Sequence, residues 1–358
     1  MVGVLLDRRV AVQKELEAFQ NYTWISRRCV RNNYNSNRSK LSPNGVINLL
    51  IVSLTVFGGL TVYFLSFQMA LLVFIPLVLY TGVWMVYPMV EPSDGAHKAV
   101  EIMTQHPHLR QAQLEGCEVL FSLSRNSSLA VKETLVNDGA IDACLEAGLV
   151  FENDRDIISR VFAVLGHLAP LQEASTQLVS DGVVELSLIW LKLHMVHESA
   201  CRHGLVFLSA LCEVTGAGSR AKRVALDHGA IELVTQIMES HISIQRIQQW
   251  GCILLFNLAL DVDQGSYLLY KQGGLDQVIK SLANHPSSAN VNHLGVAVVT
   301  KCLTRDNPQF DQVVESISTP KMDHMLRTIE AAKDNFANSN EIQLGTTAIL
   351  KAISKKAS

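Results

Sequence analysis

One pattern constrains this chain more than any other: a small residue opening an apolar helical run, repeated about every 45 residues. It first stands at Gln113-Leu-Glu-Gly116 and runs to Leu123. It returns at Ser159-Arg-Val161, at Arg202-His-Gly204 and at Gln249-Trp-Gly251, with weaker copies at His293-Leu-Gly295 and Gln343-Leu-Gly345. The successive spacings are 45, 43, 47, 44 and 50 residues. A period of this length marks supersecondary units that cannot bury their apolar faces alone and must stack on one another.

A second landmark falls between those runs. Asp138-Gly-Ala-Ile141, Asp181-Gly-Val-Val184, His228-Gly-Ala-Ile231 and Gln272-Gly-Gly-Leu275 each close one helix and open another. Glycine supplies the left-handed residue that ends a helix, and the apolar pair after it starts a new buried face. Each copy therefore reads as a short helix, a glycine turn, a second helix, a polar loop and a longer third helix. Apolar residues recur at helical spacing after Gly95, and no alternating strand pattern is present.

Gly229-Ala-Ile-x-Leu233, followed by Gln248-x-x-Gly251-Cys252-x-x-Leu255-x-Asn257-Leu-Ala259, resembles the armadillo repeat. The resemblance covers about residues 96–355 in roughly six copies. The second has Val161 in place of the glycine, and the sixth is degenerate. It implies an all-α chain, a right-handed α-solenoid; HEAT-type repeats are the nearest alternative, with the same architecture. It also implies a binding surface, the concave face lined by the third helices. Armadillo proteins of the nuclear-import type hold extended peptides there through a Trp-x-x-x-Asn ladder. Aligned on the small residue, the Asn positions here are Ser122, His167, Ala210, Asn257, Lys301 and Lys351. The Trp positions are Glu118, Ala163, Val206, Ile253, Ala297 and Thr347. Only Asn257 fits, so the ladder is absent. The candidate partner-binding residues on this face are Arg160, His167, His203, Trp250, Asn257 and Lys301. Trp250 is either an anchor, a residue type enriched in binding hot spots, or a core residue between repeats.

The chain before the repeats is of another kind. From Leu41 to Val90 there is no charged residue and no histidine. As helix this run would extend about 75 Å, against a bilayer core of about 30 Å. Two spans, at about 46–66 and 69–88, use that length. Arg27, Arg28, Arg31, Arg38 and Lys40 precede them, which places both termini on the cytosolic side. Residues 1–24 carry Leu5, Leu6, Val10, Val12, Leu16 and Phe19 at roughly helical spacing, the pattern of a short amphipathic helix. The expected organisation is a basic segment at 1–40, a membrane hairpin at 41–90, a linker at 91–98 and the solenoid. The localisation expected is integral to an endoplasmic reticulum or mitochondrial membrane, with lipid contact through residues 46–88.

Charge and chemistry exclude more than they assign. Residues 1–40 hold eight Lys/Arg against three acids, which leaves the rest of the chain at about -8. An acidic bulk argues against nucleic acid as a partner. The seven cysteines are scattered without a CxxC pair, as in a reducing compartment. His194, His197 and Cys201 are metal-ligating types, but the repeat register puts a turn near Glu198-Ser199 and splits them. Thr215-Gly-Ala-Gly218-Ser-Arg-Ala-Lys222 lacks phosphate-loop spacing and reads as a loop capped by Ser219. No catalytic residue, metal site or cofactor is expected. The chain reads as a noncatalytic, membrane-anchored scaffold for a protein partner. The alternative is an accessory structural subunit of a large membrane complex.

Overall fold

The computed structural model describes residues 92–125, 127–260, 265–304 and 307–357. The chain divides into two units between Lys98 and Ala99, and the repeats belong to the second.

The described residues are all-α. They begin with a helix pair, α1 (Pro92–Gln105) and α2 (Arg110–Ser124). Helix is thus present within the segment read as a linker. Five three-helix units follow among the described residues. The first is α3 (Leu129–Asn137), α4 (Ala140–Val150) and α5 (Arg155–Leu168); the second is α6 (Gln172–Ser180), α7 (Val183–Leu193) and α8 (Glu198–Glu213). Then come α9 (Ala217–Asp227), α10 (Ala230–Ser240) and α11 (Gln245–Ala259), and α12 (Gly265–Lys271), α13 (Gly274–Asn284) and α14 (Ala289–Cys302). The last unit is α15 (Phe310–Ser316), α16 (Thr319–Asn335) and α17 (Asn340–Ala357). The third helices α2, α5, α8, α11, α14 and α17 pack in one continuous row, and α7, α10, α13 and α16 form a second row beside it.

The glycine turns are where the sequence places them. Gly139, Gly182, Gly229 and Gly273 have φ of 83°, 72°, 74° and 80°, the left-handed conformation that costs an L side chain about 1–2 kcal/mol. The final unit turns differently, at Ser318 with Pro320 in the first turn of α16, where a missing N–H costs nothing.

Close approach explains the other recurring glycine. A methyl at Gly204 would lie 2.6 Å from Leu191 Cδ2, and one at Gly295 2.6 Å from Leu282 Cδ2. At Gly116 and Gly251 it would collide with the thioethers of Met103 and Met238. The unit with Val161 exchanges the two sizes. Its second helix carries Gly148 where Met103, Leu191, Met238 and Leu282 stand in the other units before the last, which has Lys333. The space beside Gly148 is filled by the ring of Trp190 from the next unit, whose Cζ2 would stand 2.7 Å from an added methyl. Trp190 is fully buried and meets Phe162 edge-on at 5.9 Å between centroids.

Two polar columns tie the helices together by satisfying carbonyls that a helix end leaves without partners. The amides of Gln113, Gln248 and Gln343 each donate to two carbonyls at the end of the preceding helix: Met103 and His106, Met238 and His241, Lys333 and Phe336. Asn292 does the same toward His285, and the Cys201 thiol donates to His194 and Met195. These bonds fix the register of the last unit. Gln343 is the counterpart of Gln248, so Thr346 occupies the small-residue place assigned to Gly345 by sequence, and the Asn position moves from Lys351 to Ala352. The second column is a histidine ladder along the ends of the second helices. His194 Nε2 bonds the Glu152 carbonyl at 2.6 Å, and His285 Nε2 bonds the Ile242 carbonyl at 2.7 Å.

Three expectations are corrected. The integral-membrane placement, with both termini on the cytosolic side, has no helix to carry it: none among the described residues is long and apolar enough to cross a membrane. A crossing helix needs about 20 predominantly apolar residues. Most of the described helices are instead amphipathic, burying one face against their neighbours, and α5, buried on nearly every side, has only 14 residues. The spans expected at 46–66 and 69–88, the lipid contact through 46–88 and the amphipathic helix of 1–24 lie outside the described residues. The turn expected near Glu198-Ser199 falls earlier, because α8 already begins at Glu198. Ser219 does not cap α9; that helix starts at Ala217 behind Gly216, so Ser219 sits inside its first turn.

Candidate partner-binding surface

Every residue proposed from sequence lies on the third-helix row, but the row divides them. Arg160 and His167 on α5 and His203 on α8 gather around one side chain, Phe121 of α2. The His167 ring stacks on Phe121 with centroids 5.2 Å apart and planes 14° from parallel. His203 stands tilted at 6.3 Å. The Arg160 guanidinium covers the Phe121 ring at 5.6 Å while its Nε bonds Glu118 at 2.7 Å. Arg125, at the end of α2, lies over the same ring at 5.9 Å. Three successive third helices thus contribute to a single platform.

Serines hold the two histidines. Ser124 Oγ lies 3.0 Å from His167 Nδ1, and Ser159 Oγ lies 3.0 Å from His203 Nδ1. Ser159 Oγ also meets Ser199 Oγ at 2.7 Å. Burial lowers the pKa of His167 to about 4, with Lys132 and Arg125 adding repulsion. His203 is lowered to about 4 by burial first, then by Arg202, Arg160 and His167. Both rings are therefore neutral at physiological pH, and the charge of the platform is carried by arginines. Arg202 is itself held below the usual guanidinium value, by burial and then by Arg246, with Glu198 opposing. Planar guanidiniums beside an aromatic face offer stacking area and forked donors together.

Trp250, Asn257 and Lys301 are not part of this cluster. Asn257 is buried, and its Nδ2 donates to the Ser209 carbonyl of the neighbouring unit at 3.1 Å. It is a tie between repeats. Trp250 on α11 and Lys301 on α14 are half-buried farther along the row. Sequence reasoning missed Phe121, Ser124, Ser159, Arg125, Arg202 and Arg246. A large aromatic at Phe121, in a column where α5 and α8 carry Gly166 and Ser209 and α11 carries Phe256, was the available signal.

No group of three or more His, Cys, Asp or Glu that would hold a metal occurs among the described residues. His194 and Cys201 are occupied with backbone carbonyls instead. Burial pushes the thiols of Cys201, Cys212, Cys252 and Cys302 up to about 12, far from the thiolate a nucleophile needs. A groove of about 330 Å³ between α13 and α16 is lined by Leu282, Pro286, Asn292, His324, Arg327 and Asn335, with no carboxylate among its residues.

No protein-family model and no curated protein matches the chain. Solved structures do. A designed armadillo repeat protein aligns at 13% identity and a TM-score of 0.55, over 72% of this chain and 98% of its own. A second design, solved in complex with the peptide (KR)4, aligns at 14% identity and a TM-score of 0.55 over the same shares. An engineered protein from a structural genomics consortium aligns at 16% identity and a TM-score of 0.55, covering 73% of this chain and 98% of its own. At these identities the likeness concerns the fold alone. That fold is an armadillo-like helical repeat.

Proposed function

We propose that the chain is a noncatalytic scaffold whose repeat domain, about residues 96–355, holds a protein partner along the row of third helices. The observation that carries this reading is the Phe121 platform, where an aromatic ring stays half-buried under Arg125, Arg160, His167 and His203. A core position would bury such a ring completely, whereas interface anchors combine aromatic and arginine side chains in this way. Trp250 and Lys301 extend the same row as further contact points. The fold suits the role, since stacked repeats present long continuous surfaces. One of the similar designs was itself solved with a peptide bound.

The test is site-specific photo-crosslinking. A photoreactive residue placed at Trp250, Lys301 or Ser122 should capture a discrete partner, and one at Glu173 or Glu232, away from the third helices, should not. Capture confined to the outer positions would overturn the reading. Trp250→Ala separates two roles: a large drop in melting temperature marks a core residue, and an unchanged melt with loss of crosslinked partner marks an anchor.

A further inference from the structure

The charges on the third-helix row run against the charge of the chain. Residues 41–358 carry a net charge of about -8. Yet Arg125 at the C-terminal cap of α2, Arg160 on α5, Arg202 on α8 and Arg246 on α11 belong to four successive third helices, with Lys132 of α3 close to His167. The acids on the same four helices are Glu115, Glu118, Asp156, Glu198 and Glu213, of which Asp156 is paired with Arg110 at 3.1 Å. Glu118 is committed to Arg160, and Glu115 accepts a bond from Gln111 at 2.5 Å. Arg202 and Arg246 form no ion pair among the described residues, and Arg246 is exposed. Arg160 uses only its Nε on Glu118, so the outer edge of its guanidinium keeps donors in a fork suited to a carboxylate.

Resting on the scaffold reading, we propose that this surface takes an acidic peptide segment, with carboxylates on Arg160, Arg202 and Arg246 and an apolar side chain against Phe121. The sign follows from like charges. Arginines on adjacent helices repel one another in the free protein, Arg202 feeling both Arg246 and Arg160. An anionic ligand relieves that repulsion and gains paired hydrogen bonds, which is electrostatic complementarity across an interface. A basic peptide would meet the same four guanidiniums without compensation. Nucleic acid is disfavoured because the remainder of the chain is acidic and would repel a continuous phosphate backbone.

The experiment pans a display library of short random peptides against the full chain, with a single-stranded oligonucleotide as competitor. Enriched peptides should be acidic, and their binding should weaken about tenfold or more in Arg202→Glu/Arg246→Glu, a factor equal to one hydrogen-bonded charge pair. Both positions lie outside the core, so the circular-dichroism melt should be unchanged; Arg160→Lys, which keeps the charge and loses the fork, should bind at intermediate strength. Enrichment of neutral or basic peptides overturns the proposal while leaving the scaffold reading intact. So does an acidic peptide that the charge-reversed variant binds equally well. An oligonucleotide that displaces the acidic peptides at lower concentration than they displace each other assigns the surface to nucleic acid and overturns it also. No enrichment at all sinks this proposal and the scaffold reading together.

Discussion

His241 donates its Nε2–H to the Met195 carbonyl across 2.9 Å, joining the end of one second helix to the end of the one before it. The same rung is made by His194 and His285. At the corresponding place the first and last three-helix units carry Phe151 and Phe336, which have no donor. We therefore expect His241→Phe to fill the space but orphan the carbonyl. The cost should be about 1–2 kcal/mol in urea denaturation. A midpoint equal to that of the wild-type chain would show that water satisfies Met195 and that the rung adds nothing.

Gly148→Ala and Gly229→Ala should destabilise for different reasons. The first drives a methyl into the buried Trp190 ring and should cost about 1–3 kcal/mol, the range for overpacking. The second meets no atom within 4 Å but strains a backbone at φ of 74°, worth about 1–2 kcal/mol. A smaller partner distinguishes them. Trp190→Leu should remove most of the added cost of Gly148→Ala in a double-mutant cycle and leave that of Gly229→Ala untouched. Additive behaviour at Gly148 would mean the ring is not what the methyl meets.

Acid should loosen the platform. His167 and His203 titrate at about 4 in the folded chain, against about 6.5 when unfolded. As pH falls the unfolded chain takes up these protons first, so their contribution is intact above about 6.5 and is lost progressively toward about 4. The melting temperature should decline across that window. In His167→Asn/His203→Asn the decline should be shallower. An equal slope in the double variant would assign the acid sensitivity elsewhere.

Buried thiols should be inert. Cys201, Cys212, Cys252 and Cys302 should resist iodoacetamide in the native chain and react once it is unfolded, read by peptide mass spectrometry. Prompt native alkylation of Cys252, which is wholly buried, would show that its unit opens readily.

The repeat frame was legible because its markers are irreplaceable. A left-handed turn at Gly182 or Gly229 accepts little else, and the small residue at Gly204 is forced by Leu191. The sixth unit shows the limit. Gly345 draws an alignment by composition, while the bonds of Gln343 to Lys333 and Phe336 set the register one residue later. Glycine at 345 answers to Val296 and Thr300 in the preceding unit, a relation that lies outside its own repeat. The platform was only partly legible for a similar reason. Arg160, His167 and His203 were visible as polar residues on a shared helix face, but the ring that unites them is on α2. The expected membrane placement failed differently: it rested on residues 41–90, and the described helices supply no span.

The exchange between Gly148 and Val161 has a consequence for how such an array can grow or be rearranged. Because Trp190 of one unit fills the notch left by Gly148 of the unit before it, these two modules are matched like a key and its lock. A copy of the first inserted elsewhere would face Ile237 or Ser281, the counterparts of Trp190 and too small to fill the notch, and would leave a void. A tandem duplication of the second would set Trp190 against Leu191, where there is no notch at all. The modules look alike in sequence, yet their order is written into their contacts, and a shuffled chain of the same composition would not close its core.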